Sequence, residues 1–510
     1  MLINKGTESL INDLKLAIEY NLKQKKDLSK KYHSKSTLAF VYEKARNAIE
    51  YKDEHLIRYT ATERILKRRL HLNQSSKKIS AFLLKELNWA RYIEQYEVNE
   101  SNLLKIEKII EKYKNTINTT VDSKTNQTLV GLCAAEIDES INFDPINQII
   151  INYVASCFEN LLVIEGLDKP TKSMQIYIAT ERAFAKNSEI IIKHKLLKVL
   201  LKDRNDPVKL IETLTIVDQH LNYEHGNLVR RKIVKLIPPF NLLKDYIKEH
   251  TDELIDLIEK PDELNLSLIG FLEVKYKENT DKVLRASKRS IVYIFLTKML
   301  FALLIEVPFD ILMGSINYLV LSINILFPPS LMILFNSQVK LPEKENSELV
   351  IERINSYLYA DNQSSGAEKI EINKTKTKIE EVFYYIFIVT SGILLISIIY
   401  FLNILGFNPI NQMIFMFFLS VVSFFAYRVR EISNDFLLEE TSNSSLIETL
   451  IDYLFLPIIK IGQWLSMQVS KINILSYIFD VIIEAPLKTF IEIFEQWLHF
   501  VRVKKEEFLG

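Results

Sequence analysis

Four long apolar stretches, at residues 291–306, 311–335, 382–405 and 413–427, stand in a chain that is otherwise dense in charge. A helix needs about 20 apolar residues to cross the hydrocarbon core, and lipid offers no partner to an unpaired backbone group. These stretches are therefore read as four transmembrane helices. The first block is too long for one crossing. It contains Glu306-Val307-Pro308-Phe309-Asp310, two acids around a proline, which predicts a turn at the membrane surface. The second block divides at Gly406-Phe407-Asn408-Pro409-Ile410-Asn411, another turn signature. Two hairpins follow, at 290–335 and 382–427, with Pro328-Pro329 able to end the second span early.

Basic residues near the spans set orientation. Lys275, Lys277, Lys282, Arg285, Lys288 and Arg289 precede the first span. Lys340, Lys344, Arg353, Lys374, Lys376 and Lys378 lie between the hairpins, and Arg428 and Arg430 follow the fourth span. Neither predicted tip carries Lys or Arg. Both termini and the 336–381 loop are thus expected in the cytoplasm of a multi-pass protein of the cell membrane. Residues 1–6 lead into no apolar segment, so no cleaved leader is expected.

Within the spans, three polar residues need a reason to be in lipid. Lys298 lies in the first span, and a charged amine there costs about 3 kcal/mol on insertion scales. It either faces a cavity that receives an ion, a proton or an anionic lipid, or it snorkels or bonds to neighbouring helices. Asn317 and Asn324 are seven residues apart and share a helix face, with Ser315 and Ser322 nearby. Amides in lipid seek partners on other helices, or else line a path.

Outside the spans the chain reads as all-α. Gly (11) and Pro (13) are scarce among 510 residues, and good helix formers dominate. Residues 1–289 form a cytoplasmic helical region with helices near 9–28, 36–71, from about 80, 145–164, 171–201 and 207–237. The polar stretch 115–126 suggests two lobes, 1–115 and 127–289. The first has a basic excess of about nine charges. Its densest part, Arg64, Lys67, Arg68 and Arg69, is a solvated helix face, a contact for anionic lipid or a partner, or a nucleic-acid patch. No RNA-binding or helix-turn-helix signature accompanies it, so a nucleic-acid partner is not expected. The tail, 428–510, is cut by Pro457 and Pro486 and carries Trp464, Tyr477 and Trp497. Its last piece is an amphipathic helix for the membrane interface, the cytoplasmic region or a second subunit.

Motifs with chemistry are absent. His220-Leu221-Asn222-Tyr223-Glu224-His225 misses zincin spacing by one residue. No phosphate loop or nucleophile elbow occurs, and the acidic pairs at 53–54, 252–253 and 262–263 read as solvated faces. Cys133 and Cys157 show no pairing framework and are expected as reduced, buried thiols. No catalytic residue, cofactor or metal is expected.

Four stretches carry a resemblance: Tyr42-Glu43-Lys44-Ala45-Arg46-Asn47-Ala48-Ile49, Glu63-Arg64-Ile65-Leu66-Lys67-Arg68, Phe327-Pro328-Pro329 and Ile483-Glu484-Ala485-Pro486-Leu487-Lys488-Thr489-Phe490. Together they resemble a group of uncharacterised bacterial integral membrane proteins. The resemblance implies a bacterial cell membrane and brings no activity, cofactor or functional residue. Two functions fit: a membrane-anchored scaffold presenting the helical region to a cytoplasmic protein, or an oligomeric transporter or channel using Lys298, Asn317 and Asn324.

Overall fold

A computed structural model describes residues 3–26, 54–71, 74–93, 98–119, 122–141, 143–164, 167–201, 206–312, 317–337, 339, 344–359, 370–372, 378–438, 456–461, 463–464 and positions 493, 497, 500, 501 and 504. It is all-α apart from one parallel pair of three-residue strands, β1 (Leu162–Ile164) and β2 (Ile370–Ile372). Two compact units emerge. One comprises Ser9–Glu159, Leu167–Ile233 and Ile472–Gly510; the other comprises Met1–Glu8, Asn160–Gly166 and Val234–Lys471.

The first, a helical unit, holds α1 (Lys5–Lys26, from Ser9), α2 (Glu54–His71), α3 (Ser76–Trp89), α4 (Glu100–Thr119), α5 (Ser123–Ile141), α6 (Pro145–Leu161), α7 (Lys169–Ala183), α8 (Glu189–Leu200) and α9 (Pro207–Leu221). Apolar residues at three-and-four spacing, such as Ile106, Ile110 and Tyr113 on α4, point into one core. Leu66, Leu83, Leu132, Leu196 and Val217 bring five more helices to it. Gly131 keeps α5 close to its neighbours: a Cβ there would stand 3.0 Å from Ile190 and 3.4 Å from the Tyr59 hydroxyl.

This core corrects the two-lobe division. The polar stretch at 115–126 is mostly helical, because α4 runs to Thr119 and α5 starts at Ser123, and both helices bury side chains in the same cluster. The expected helix over 171–201 is broken between Ala183 and Glu189, where Lys186 takes φ 52°. The one expected over 207–237 breaks after Leu221, and α10 (Gly226–Glu249) then runs through Pro238 and Pro239. Of the helix expected over 36–71, only α2 lies within the described residues. Cys133 and Cys157 are both free thiols. Burial pushes the Cys133 thiol up and that of Cys157 up to about 12, so neither is a thiolate.

The second, a membrane unit, contains α11 (Thr251–Leu257), α12 (Pro261–Phe301), a π-helical turn (Ala302–Glu306), α13 (Val307–Leu312), α14 (Tyr318–Ser337), α15 (Lys344–Leu358), α16 (Lys378–Ile404) and α17 (Pro409–Ser433). Four helical runs are long and apolar enough to cross a membrane: Pro261–Leu312, Tyr318–Ser337, Tyr385–Ile404 and Pro409–Ser433. Three of them, α12, α14 and α17, pack together through Ile294, Met332, Phe335, Leu419 and Val422. The other, α16, touches this bundle near its end, where Leu402 meets Val320, Phe407 and Phe415. Along the rest of α16, Val389, Ile393, Ile396 and Tyr400 remain exposed.

The span ends depart from expectation in one important place. The pentad 306–310 is not a surface turn. The first helical run continues through it to Leu312, and Glu306 and Asp310 are buried. The π turn accommodates Pro308: the Val307 N–H already reaches back five residues, to Ala302, so the helix is reset just before the residue that lacks a donor. Pro328 and Pro329 likewise do not end α14, which continues to Ser337. At the other tip the turn signature holds. Gly406 takes φ 82°, Asn408 accepts the Asn411 N–H at 2.8 Å, and Pro409 opens α17.

Below the bundle, polar clamps fix the end of α17. The buried Asn346 of α15 donates to the Phe436 carbonyl at 2.8 Å and to the Tyr276 hydroxyl on α12, and accepts the Leu438 N–H at 2.8 Å. Asn241 of α10 donates to the Asp435 carbonyl at 2.7 Å. The beginning of the tail joins the bundle, since Ile458 is buried in its core and the Lys460 ammonium lies 3.9 Å from the Phe387 ring. Most of the expected C-terminal amphipathic helix lies outside the described residues. Ile493, Trp497, Phe500 and Val501 are helical and exposed.

Candidate functional site

The α12–α14–α17 bundle encloses a polar seam that starts at Lys298. Its ammonium has no solvent exposure and pairs with the Glu306 carboxylate, Oε1. The second oxygen, Oε2, accepts the Asn324 amide of α14 at 2.9 Å. The Phe418 ring of α17 covers the ammonium at 4.8 Å. Three helices thus share one neutralised charge pair. The energetic logic is that of any buried pair: each ion alone would cost several kcal/mol, and partner plus hydrogen bonds offset that cost.

One turn beyond Glu306, Asp310 faces the start of α17. Its Oδ1 accepts the Asn408 amide at 2.7 Å and the Asn411 amide at 3.2 Å. Asp310 is 4% exposed, and no cationic side chain bonds to it among the described residues. Among the described residues, three buried side-chain oxygens of the seam find no hydrogen-bond donor: Asp310 Oδ2, Asn324 Oδ1 and Asn411 Oδ1.

Lys298 and Asn324 stand out in the sequence as polar residues inside two spans, without their being brought together, whereas Glu306 and Asp310 read there as part of a surface turn. The signal that would have found Glu306 is weak, because eight α-helical residues turn about 800°, leaving two side chains about 80° apart. The π turn packs one more residue into a turn and brings Glu306 back under Lys298. Asn317 does not join the seam. It precedes α14, where its Oδ1 accepts the N–H groups of Leu319 and Val320 at 3.2 and 3.3 Å. Ser322 is exposed, and Ser315 lies outside the described residues.

The basic cluster of α2 is also spent internally. Arg68 and Arg69 both bind the Glu86 carboxylate of α3, Arg69 at 2.9 Å, and Arg69 stacks on Phe82 at 4.1 Å. Lys67 pairs with Glu63 at 2.7 Å, and Arg64 is buried. A solvated face is therefore corrected to an interhelical clamp: Glu86 is buried and needs counter-charge. Among the described residues, no group of three or more His, Cys, Asp or Glu could hold a metal ion.

Comparison with protein-family models, with curated proteins and with solved structures gave no match.

Proposed function

We propose that the chain is a membrane-anchored interaction or scaffold protein of the cell membrane, with both termini and the helical unit on the cytoplasmic side. The observation that carries this reading is the single helical run Pro261–Leu312. It has 52 residues, a length of about 78 Å, against a hydrocarbon core of about 30 Å. Some two thirds of it therefore stands outside the bilayer as a stiff post, and Asn346 and Tyr276 brace that post against the end of α17. Tethering raises the local concentration of whatever the helical unit binds. The basic flanks of the spans support the orientation.

The competing reading, an oligomeric transporter or channel along Lys298, Asn317 and Asn324, has less support. Lys298 and Asn324 are enclosed and bonded to Glu306, and Asn317 serves α14 as a cap.

Photo-crosslinking in living cells tests the scaffold reading. A photoreactive residue at the exposed Leu16, Val199 or Val208 of the helical unit is expected to trap one recurrent protein, absent with the same residue at the buried Leu196. The reading fails if no exposed position of this unit gives an adduct. It also fails if the full chain in liposomes conducts an ion flux that Lys298→Met abolishes.

A further inference from the structure

We propose that Asp310 and Asn411 bind a small monovalent cation, of the sodium class, at the hairpin-tip end of the bundle. The first support is the kind of atom left over. Asp310 Oδ2 and Asn411 Oδ1 are both oxygens, both on residues under 5% exposed, and neither accepts a hydrogen bond from the described residues. They are neighbours, since the Asn411 amide nitrogen donates to the other oxygen of the same carboxylate at 3.2 Å. Turning the Asn411 amide over does not remove the deficit. It would set oxygen against oxygen at Asp310 Oδ1 and lose a donor.

The second support is charge. Lys298 and Glu306 cancel, which leaves Asp310 as the one uncompensated charge among the described residues of the seam. The start of α17 offers about half a positive charge, and the Asn408 and Asn411 amides add dipoles. A full negative charge in a medium of low dielectric needs more. A water molecule would supply donors and no net charge, whereas one cation answers both deficits. Hard carboxylate and amide oxygens select a hard cation, and the single carboxylate matches a single charge. Asn324 Oδ1, a third free oxygen, lies in the same seam. The cation's role would be to staple α13 to the start of α17, which does not depend on the scaffold reading.

Thermal unfolding of the full chain in detergent micelles, at constant ionic strength, tests the site. Replacing choline chloride by sodium chloride is expected to raise the midpoint along a saturable curve. Asp310→Asn, close in shape, should abolish the response, and Asn411→Ala should weaken apparent affinity about tenfold. A direct measurement on the unmodified protein guards against misfolded variants: sodium-23 resonance broadening, competed away by lithium. The proposal is overturned if sodium and choline give the same midpoint, if Asp310→Asn keeps the sodium response, or if the unmodified protein does not broaden the resonance.

Discussion

Glu306 stands eight residues beyond Lys298 on one helical run, yet the two side chains close an ion pair in the interior of the bundle. A regular α-helix would hold them on different faces, and the π turn at Ala302–Glu306 brings them together. The same turn keeps the helix intact across Pro308 and so carries Asp310, four residues on, into the bundle as well.

From this pair follows an asymmetry that mutation can measure. Lys298→Met leaves Glu306 buried with one amide donor and is expected to destabilise the membrane unit by about 3–5 kcal/mol. The triple change Lys298→Met, Glu306→Leu, Asn324→Leu removes every member of the set and should come within about 1–2 kcal/mol of the parent. Unfolding of the purified chain in mixed micelles, titrated with a denaturing detergent, distinguishes these. A triple variant as unstable as the single one would show that the charge pair is not the quantity being lost.

The helical unit offers a parallel case. Glu86→Ala leaves the Arg68 and Arg69 guanidinium groups facing each other without their shared carboxylate. A loss of about 3 kcal/mol is expected. Lys67→Ala, which breaks only a partly exposed pair within α2, should cost under about 0.5 kcal/mol. Denaturant unfolding followed by Trp89 fluorescence reads both, and equal effects would contradict the clamp.

What the sequence could and could not reveal follows from the range of each force. Apolar runs long enough for lipid are a local property, so the four spans and the turn at Gly406–Asn411 were legible residue by residue. Lys298 was legible as a problem, because one charge in an apolar run stands out. Its solution was not, since Glu306 and Pro308 read locally as a turn, and only packing against α14 and α17 rewards the helix for continuing. Arg68 and Arg69 misled for a related reason. Their partner Glu86 lies on another helix, and a basic run looks the same whether it faces water or a buried acid. The polar stretch 115–126 reads as a lobe boundary, but polarity reports exposure and says nothing of the core that the helices on either side share.

Acid should weaken the helical unit through Glu139. Burial opposes its ionisation, but hydrogen bonds from His194, at 2.8 Å, and from Lys198 outweigh burial and hold the carboxyl at about 2. The ordinary glutamate value, about 4.3, is higher, so this carboxylate contributes stability at pH values above about 4.3. The contribution declines as pH falls from there toward 2. Glu139→Gln is therefore expected to lower the unfolding midpoint at pH 7 and to flatten its fall between pH 5 and 3. A variant whose acid profile parallels that of the parent would remove Glu139 from the account.

Membrane orientation is open to a direct chemical test, and the geometry decides where to place the probe. Asp310 and Asn411 sit near the expected tips but are buried, so cysteines there would report packing. Leu312, at 83% exposed, closes the first helical run, and Leu266, at 73%, stands near its other end. With Cys157 changed to serine and the buried Cys133 retained, Leu312→Cys should react with a membrane-impermeant maleimide added to intact cells. Leu266→Cys should react only after the membrane is opened if, as proposed from the basic residues between Lys275 and Arg289, that end faces the cytoplasm. The reverse pattern would invert the topology and move the helical unit to the other face, and labelling of both sites in intact cells would mean that Pro261–Leu312 does not cross the bilayer.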